Sequence, residues 1–544
     1  MLASDGMAAG VDLVIVGDIF RCDEARSWAR ALAIKGDRIV AVGTEDQVRE
    51  RVGPARDLVT GSTIMPGFQD AHVHPAFAGR NLLNLNLDDL DDQDSYLARI
   101  RAFANANPDR GWIVGGGWLN AVFASRGGPS RELLDAAVPD RPVFLLNTDI
   151  HAAWVNSRAL ELAGLDRSSP DPWDGYLVRE ADGSPTGTLQ EGAAYHVLRS
   201  VIPPPAIEEW SSWLRAAQRE LHSLGITGWQ DAWVEPDLLR AYRSLDDAGE
   251  LTMRVVPALW WDRHRGLDQI EYLNDQRTWG TAGQVAACSV KIMLDGCPGS
   301  CTSAMLEPYE GAFGAEHGSG IAFVDAESLS EAVVRLDSAG FQVHQHALGD
   351  RALRMALDAV AAAREANGPN DLRHHIAHLQ ISDPADLPRL RELGVVANLQ
   401  PYWAQPDDMI TELIVPRVGN RAACLYPIGD LVRCGTVLCF GSDWPVSTPN
   451  PWHGLEVAVS RRPVGEPEAQ PLDASQRIDL PTALAAYACG SAYVNHDGEA
   501  GTIREGARAD VVVLDRNPFD GDAPIGTTTP IMTIASGRVV YDAS

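Results

Sequence analysis

The middle of this chain alternates short apolar runs with longer amphipathic segments, and this alternation most limits its fold. Eight apolar runs are typical of buried strands, and they lie at residues 63–74, 227–234, 253–262, 289–295, 341–346, 374–379, 395–400 and 437–443. Helical patterns, such as the one at residues 351–367, lie between them. Strands that alternate with helices form parallel sheets, and eight such units close a barrel. We therefore predict an α/β fold with a (β/α)8 TIM barrel.

Both ends of the chain instead carry short Val- and Ile-rich runs separated by Gly turns. Examples are VDLVIVGDIF near the start and PIMTIASGRVVYD near the end. Neither end alone has enough strands to bury its own apolar face. We predict that residues 1–64 and 499–544 pair into one small β-sandwich domain, and that residues 65–498 form the barrel domain.

The interval between the first and second predicted strands is far too long for one helix. Residues 76–205 are therefore predicted to be an insertion on the catalytic rim of the barrel, where long loops form part of a pocket or a lid.

Charge and apolar content exclude several classes of partner. The formal net charge of the 544 residues is −29, with 74 acidic and 45 basic side chains, which disfavours nucleic acid and anionic membrane surfaces. No apolar run approaches the roughly 18 residues of a membrane-spanning helix, and the first residues do not resemble a secretion signal. We expect a cytoplasmic protein with reduced cysteines that acts on a small-molecule substrate. A homodimer is kept as a candidate assembly.

His72 and His74 stand one residue apart at the end of the first predicted strand. Alternation along a strand turns both imidazoles to one face, where they can bind one ion. A lone H-x-H is more often a pair of surface histidines, because two ligands form half of a four-ligand shell. Other predicted strands carry further candidate ligands, namely Lys291, His346, His378 and Asp443. Since catalytic residues of such barrels come from several strand ends on one rim, the distribution predicts a metal site.

At these positions the sequence resembles the amidohydrolase superfamily, in the branch called amidohydrolase family 3, which includes the N-substituted formamide deformylases. The resemblance rests on the segments PGFQDAHVHP, PTGTLQEGA, VKIMLDG, HALGDRA, HHIAHLQ and GSDWPV. It implies a site for one or two metal ions formed by His72, His74, Lys291, His346, His378 and Asp443. It also implies that Lys291 is carboxylated when it bridges two ions, and that His151 lies in the pocket wall, within reach of a substrate carbonyl.

Imidazole and carboxylate ligands suit zinc, so we expect one or two divalent ions, zinc by preference. Such an ion lowers the pKa of bound water to about 7 and so provides hydroxide to attack a carbonyl. Asp443 is expected both to bind metal and to carry a proton to the leaving amine. Burial should lower the pKa of Lys291 and provide the neutral amine that reacts with carbon dioxide. A salt bridge between Lys291 and Asp295 is the competing interpretation.

Neighbouring residues have weaker assignments. Three aspartates are predicted to orient the candidate metal ligands by hydrogen bonding, namely Asp70, Asp295 and Asp350. His344 is expected to face away from His346 and to be a packing or supporting group. Aromatic residues on the rim suit an apolar or aromatic group of the substrate, although core packing is the alternative for most of them. The predicted substrate contacts are Trp118, His151, Trp403 and Trp444.

Together these features predict a metal-dependent hydrolase of a non-peptide C–N bond. The favoured substrate is an N-substituted formamide or other N-acyl compound with an apolar or aromatic substituent. The alternatives are a metal-dependent lyase or decarboxylase on the same scaffold, because a fold does not determine the reaction, and a non-catalytic binding or regulatory relative. The presence of all six candidate ligands favours an enzyme.

Overall fold

The computed structural model describes residues 11–126 and 128–543. The amino-terminal part of the chain holds β1 (Leu13–Phe20), β2 (Trp28–Lys35), β3 (Arg38–Gly43), α1 (Glu45–Val52) and β4 (Arg56–Pro66). The first barrel strand and the insertion follow, with β5 (Phe68–Val73), α2 (Pro75–Leu83), β6 (Leu85–Asn86), α3 (Gln93–Ala106), β7 (Ile113–Trp118), α4 (Arg131–Ala137), β8 (Val143–Asn147), β9 (Ala152–Val155), α5 (Ser157–Ala163), β10 (Gly175–Arg179), β11 (Pro185–Glu191) and α6 (Gly192–His196).

The rest of the chain first completes the barrel and then returns to the sheet formed by the chain ends. The barrel elements are α7 (Ile207–Ser223), β12 (Ile226–Val234), α8 (Pro236–Asp247), β13 (Arg254–Trp260), α9 (Gln269–Gly280), β14 (Ser289–Met293), α10 (Gly311–His317), α11 (Ala326–Ser338), β15 (Gln342–Ala347), α12 (Asp350–Asn367), β16 (His375–His378), α13 (Leu387–Leu393), β17 (Val396–Leu399), α14 (Val415–Val418), α15 (Ile428–Cys434) and β18 (Leu438–Phe440). The last elements are α16 (Pro451–Ser460), α17 (Leu480–Ala485), α18 (Ser491–Val494), β19 (Val511–Leu514), β20 (Pro530–Ala535) and β21 (Arg538–Asp542).

Strands from both chain ends join one seven-stranded sheet in the order β21-β20-β19-β4-β1-β2-β3. Strand β4 connects the two ends, because it runs parallel to β1 and antiparallel to β19. Along β1, Ile15 packs in one apolar cluster while Val14 and Val16 pack in another, as the two-residue alternation of a strand requires. The domain boundaries at residues 64 and 499 stay a prediction. Residues 1–10 and 544 of the predicted end domain lie outside the described residues.

The eight-stranded parallel sheet confirms the predicted barrel, and its order is β18-β17-β16-β15-β14-β13-β12-β5. Two backbone hydrogen bonds join its first and last strands, from Asp443 N to His72 O at 2.7 Å and from His74 N to Trp444 O at 2.9 Å. The first strand was predicted to begin at Thr63, but the chain up to Pro66 belongs to β4. The break falls at Gly67, where a Cβ would lie 2.5 Å from the Thr227 side chain, so this side chain leaves no room for a larger residue.

The insertion forms a third sheet of six strands in the order β10-β11-β9-β8-β7-β6. In β7 the chain approaches β6 closely, since a Cβ on Gly115 would lie 2.3 Å from the Leu85 carbonyl oxygen. Trp118, Phe123 and Trp154 pack together under this sheet. Within the described part of the chain, no helix has the length and apolar content needed to cross a membrane.

Candidate active site

The carboxyl ends of β5 and β18 bring two histidines and a carboxylate together. His72 Nε2 lies 3.3 Å from Asp443 Oδ1, and His74 Nε2 lies 3.0 Å from the same oxygen. His72, His74 and Asp443 are all buried, at 1%, 6% and 4% exposure. These groups meet because β5 and β18 are the first and last strands of the barrel and lie side by side where it closes.

Strands β15 and β16 contribute two more imidazoles. His378 Nδ1 lies 4.0 Å from Asp443 Oδ2, and its ring centroid is 4.7 Å from that of His72. The ring centroid of His346 lies 4.6 Å from that of His378. Candidate ligand atoms of His72, His378 and Asp443 all lie within 4.8 Å of one another. The structure thus gathers all five of these predicted side chains at one end of the barrel.

The backbone at this end adopts an unusual conformation for residues other than glycine. Asp443 has φ of 57° and His378 has φ of 82°. Such left-handed conformations are unfavourable by about 1–2 kcal/mol per residue and persist where the surroundings hold them in place. For Asp443 the hydrogen bond from its N–H to His72 O is one such constraint.

Hydrogen bonds at Nδ1 orient two of the imidazole rings. His72 Nδ1 lies 2.9 Å from His344 Nε2, and His378 Nδ1 lies 2.8 Å from Gln400 Oε1. These contacts engage Nδ1 and leave Nε2 of both rings available for an ion, the usual arrangement of metal-binding histidines. His344 stands two residues before His346 and therefore faces the same barrel interior. The expectation that it faces away from His346 is wrong.

The protonation of these groups suits a metal ion. Burial, reinforced by the charge of Lys291, lowers the pKa of His72 to about 3. Burial also holds the pKa values of His346 and His378 well below the usual range, so all three rings are neutral. Although burial alone would raise it, contact with His72 holds the pKa of Asp443 well below its usual range. Neutral imidazoles and an ionised carboxylate are the forms that bind metal.

The positions of the buried ligand atoms also fit a metal ion. Asp443 Oδ1 and His74 Nδ1 are buried, and neither has a hydrogen-bond partner in the described structure. Imidazole nitrogens that approach a carboxylate oxygen without hydrogen-bonding to it are arranged like ligands of a common ion. Ligand atoms around a tetrahedral zinc ion, each about 2.0–2.1 Å from it, are about 3.3 Å apart. The distances of 3.0 and 3.3 Å to Asp443 Oδ1 are close to that value, so the residues present fit a divalent ion.

Lys291 lies on β14, is 1% exposed and lines the same cavity. Burial lowers its pKa to about 7, although Asp443 and Asp231 act in the opposite direction. The competing partner Asp295 is engaged elsewhere, because it accepts backbone hydrogen bonds from Ala304, Leu348 and Gly349. Among the described residues, Lys291 forms no ion pair within 4.0 Å. The amine is therefore easily neutralised.

The three aspartates predicted to support the ligands differ in position. Asp295 Oδ1 lies 3.2 Å from His346 Nδ1 and so orients that ring. Asp70 accepts hydrogen bonds from the backbone of His72 at 3.0 Å and from the Ser442 hydroxyl at 2.6 Å, holding the two strand ends together. Asp350 instead accepts from backbone N–H groups of Leu306 and Arg351. The prediction that Asp350 orients a histidine is wrong, because its side chain binds loop and helix backbone.

His151 enters the site from the insertion and is held by Glu191. His151 Nδ1 lies 3.0 and 2.9 Å from the two oxygens of Glu191, which also accepts a hydrogen bond from Thr302 Oγ1 at 2.7 Å. Burial alone would lower the pKa of His151, but the carboxylates of Glu191 and Asp149 raise it to about 9. Its ring centroid lies 5.5 Å from that of His346. The site therefore places an imidazolium beside neutral candidate ligands.

A cavity of about 880 Å³ opens over these groups. Trp403 and Trp444 line it, and Trp403 stacks on His378 with ring centroids 5.2 Å apart. Trp118 does not line it: its side chain is fully buried, and its Nε1 donates to Leu145 O at 2.8 Å. The predicted substrate contact of Trp118 is therefore wrong, because this residue belongs to the apolar core of the insertion.

Sequence reasoning missed the two residues that hydrogen-bond to His378 and His151 and orient their rings. Gln400 ends the seventh predicted strand, and a polar residue at a strand end was the available signal. Glu191 stands in the segment PTGTLQEGA, but its partner His151 is 40 positions away. No local pattern connects the two, since their contact depends on how the insertion folds.

Comparisons with known proteins identify the family of this chain. The sequence matches the family described as the amidohydrolase family over residues 59–541. Putative amidohydrolase YtcJ of Bacillus subtilis is 28% identical over 97% of this chain and 99% of its own, and N-substituted formamide deformylase of Arthrobacter pascens is 28% identical over 94% of each.

Solved structures share the fold. An uncharacterized metal-dependent hydrolase from Pyrococcus horikoshii has a TM-score of 0.74 and 24% identity, and the alignment covers 95% of this chain and 99% of that one. An adenosine deaminase from Xanthomonas campestris with bound zinc has a TM-score of 0.56 and 14% identity, with 98% and 93% covered. The sequence match over nearly the whole chain confirms the resemblance, and this protein belongs to the amidohydrolase family and is a hydrolase.

Proposed function

We propose that this hydrolase cleaves a non-peptide amide bond in an N-substituted formamide or related N-acyl compound with an apolar or aromatic substituent. The observation that carries the proposal is that two kinds of group line one cavity. A cluster of His72, His378 and Asp443 that fits a divalent ion lies on one side, and the His151–Glu191 pair lies on another.

Asp443 and His151 supply the two protein groups that amide hydrolysis requires. A divalent ion, zinc by preference, would be held by His72, His74, Asp443 and one or both of His346 and His378, and would act as a Lewis acid that activates water. Asp443 is ionised, so the carboxylate oxygen that does not bind the ion can accept a proton from the attacking water and pass it to the leaving amine.

In this proposal, His151 stabilises the carbonyl oxygen as negative charge develops on it. Glu191 engages Nδ1, so Nε2–H of the imidazolium is free to donate a hydrogen bond into the cavity. Donors aimed at such an oxygen contribute strongly in a site from which water is excluded. This role needs the charged form of His151, which the raised pKa provides at neutral pH.

The cavity walls support the proposed substrate class. Trp233 and Trp260 stack with ring centroids 4.3 Å apart, and they line the cavity together with Tyr195, Trp403 and Trp444. Such walls suit an apolar or aromatic substituent on the amide nitrogen. The name of the Arthrobacter pascens relative, a formamide deformylase, supports a small acyl group at the candidate metal ligands.

Lys291 is proposed to carry a carboxyl group and to bridge a second ion. A carbamate is an anion that can face two cations, whereas an ammonium would repel them. The supporting observations are the pKa of about 7 and the engagement of Asp295 with backbone N–H groups and His346.

One experiment tests the proposal directly. Metal content of the purified protein is measured alongside hydrolysis of a panel of N-benzylformamide, longer N-acyl benzylamines, lactams and esters. We expect one or two equivalents of zinc and the highest kcat/KM for a formamide or short N-acyl compound. Full activity with well under one equivalent of metal would contradict the metal site. Turnover of esters or lactams alone would contradict the substrate class.

A further inference from the structure

A second cavity, of about 610 Å³, lies beside the first. Helices α2 and α7, strand β7 and the proline-rich residues 203–205 contribute to its walls. His74 and Trp233 line both cavities, so the two spaces share a wall. The volume lies within the range of cavities that bind small molecules, and the proposed amide hydrolysis assigns it no role.

Arg80 lines this second cavity and is 5% exposed. Among the described residues, its Nε has no hydrogen-bond partner, and a terminal guanidinium nitrogen donates to Asn81 Oδ1 at 3.3 Å. In residues 11–126 and 128–543, no carboxylate lies within 4.0 Å of this guanidinium. Burial lowers the pKa of Arg80 to about 10, although Asp88 acts in the opposite direction. A buried cation without a paired anion is strongly unfavourable, so this one points to an anion from outside the chain.

Aromatic rings form much of the remaining wall. Trp210 and Trp213 pack edge to face with centroids 5.0 Å apart, and Phe77 packs in the same way on Trp233 at 5.4 Å. The Trp210 Nε1–H is buried and has no acceptor among the described residues. The walls therefore suit a ligand with a flat apolar body and at least one acceptor oxygen.

Carboxylates also line the cavity, and they limit the charge of the ligand. Asp231 accepts from the Tyr242 hydroxyl at 2.7 Å, Glu235 pairs with Arg199 at 2.9 Å, and Glu209 accepts from Ala206 N at 3.0 Å. Asp237 pairs with Arg240. Since these acids already have partners, they do not neutralise Arg80, but they disfavour a ligand with two negative charges such as a phosphate monoester.

We propose that this second cavity binds a small apolar monocarboxylate, whose carboxylate pairs with Arg80 and whose body packs against the tryptophans. The planar guanidinium matches a carboxylate with two parallel hydrogen bonds. The shared wall formed by His74 and Trp233 places this ligand next to the candidate metal ligands. The proposal does not depend on which amide the enzyme hydrolyses.

Calorimetric titration of the metal-loaded protein tests this site. The probes are 3-phenylpropionate and its uncharged analogue 3-phenylpropanol, neither of which has an amide bond. We expect 3-phenylpropionate to bind at least about tenfold more tightly than the alcohol, and Arg80→Met to remove that advantage. Arg80→Lys should keep part of it. Arg110→Met is the matched control, because Arg110 lies on the rim of the same cavity but is exposed, and its loss should change binding less than about threefold.

Thermal unfolding separates binding from a structural role of Arg80. Without ligand, Arg80→Met should melt at or above the temperature of the unmodified protein, because it removes an unpaired buried charge. 3-Phenylpropionate should raise the Tm of the unmodified protein and not that of the variant. Equal binding of acid and alcohol, undiminished binding of the acid to Arg80→Met, or a lower Tm of the ligand-free variant would each overturn the proposal. Undiminished binding to the variant would place the carboxylate at the metal ions instead.

Discussion

Nδ1 of His151 lies between the two carboxylate oxygens of Glu191, at 3.0 and 2.9 Å, although the residues come from different strands and loops of the insertion. Glu191 is itself fully buried and has φ of 51°. The pair fixes both the orientation and the charge of a side chain that reaches the cavity from outside the barrel.

Replacing Glu191 with Gln should therefore lower the pKa of His151, because burial would no longer be opposed by a carboxylate at 2.9 Å. His151 is charged below its pKa of about 9, so activity that needs the imidazolium should fall as the pH rises past 9. In Glu191→Gln this fall should occur at lower pH, with a loss of about 100-fold at neutral pH. The pH profile of kcat/KM measures both effects.

Thr302→Val is the control for that substitution, since it removes one hydrogen bond to Glu191 and keeps the charge. In the pH profile of Thr302→Val, the fall of kcat/KM at alkaline pH should shift much less than in Glu191→Gln. If kcat/KM of Glu191→Gln falls at the same alkaline pH as that of the unmodified enzyme, Glu191 does not set the charge of His151.

Asp443→Asn should reduce kcat by about 1,000-fold, because the amide cannot take a proton from water. The fold should persist, since the backbone hydrogen bond to His72 O remains. Steady-state kinetics and circular dichroism check the two expectations. Asp350→Asn is the matched control, because Asp350 binds backbone groups away from the rings and its loss should leave kcat nearly unchanged. Near-normal turnover in Asp443→Asn would move the proton transfer to another group.

Lys291→Ala should lose metal and activity together if a carbamate bridges two ions. A short-chain carboxylate such as propionate can occupy the vacated space, and it should restore part of both. Metal content and kcat are measured with and without propionate. His378→Ala serves as the comparison, because it removes an imidazole that a carboxylate does not replace, so propionate should not restore it. Retention of full activity and metal by Lys291→Ala would exclude the bridge.

Two tryptophans predicted to contact substrate should behave differently when replaced with Ala. Trp118→Ala should destabilise the protein by about 3–5 kcal/mol, because it empties a fully buried site in the core of the insertion. Trp403→Ala should raise KM for an aromatic amide by about tenfold with a smaller stability change, because it removes a half-buried wall of the cavity. Chemical denaturation and steady-state kinetics distinguish the two. A raised KM in Trp118→Ala at unchanged stability would contradict this assignment.

The barrel could be predicted from the sequence because continuous apolar runs are typical of strands that are buried on both faces. The ends of these strands then place His346, His378 and Asp443 on one rim. The start of the first strand was misplaced because the close approach of Gly67 to Thr227 is invisible in a single sequence. The same limit applies to Trp118, whose burial depends on the fold of the insertion. A periodic pattern in the sequence indicates which side chains are buried, but it does not indicate which distant residues they contact.

The joining of the first and last barrel strands has a consequence for synthesis of the chain. Asp70 and Ser442, which hydrogen-bond across that junction, are 372 positions apart. During translation the amino-terminal half of the site emerges long before the carboxyl-terminal half, and contacts of such large separation form slowly. A ribosome that stops early therefore releases a chain with His72 and His74 but without the carboxylate that completes the cluster. We therefore expect hydrolytic activity to appear only when the barrel closes, and we expect incomplete chains to be inactive.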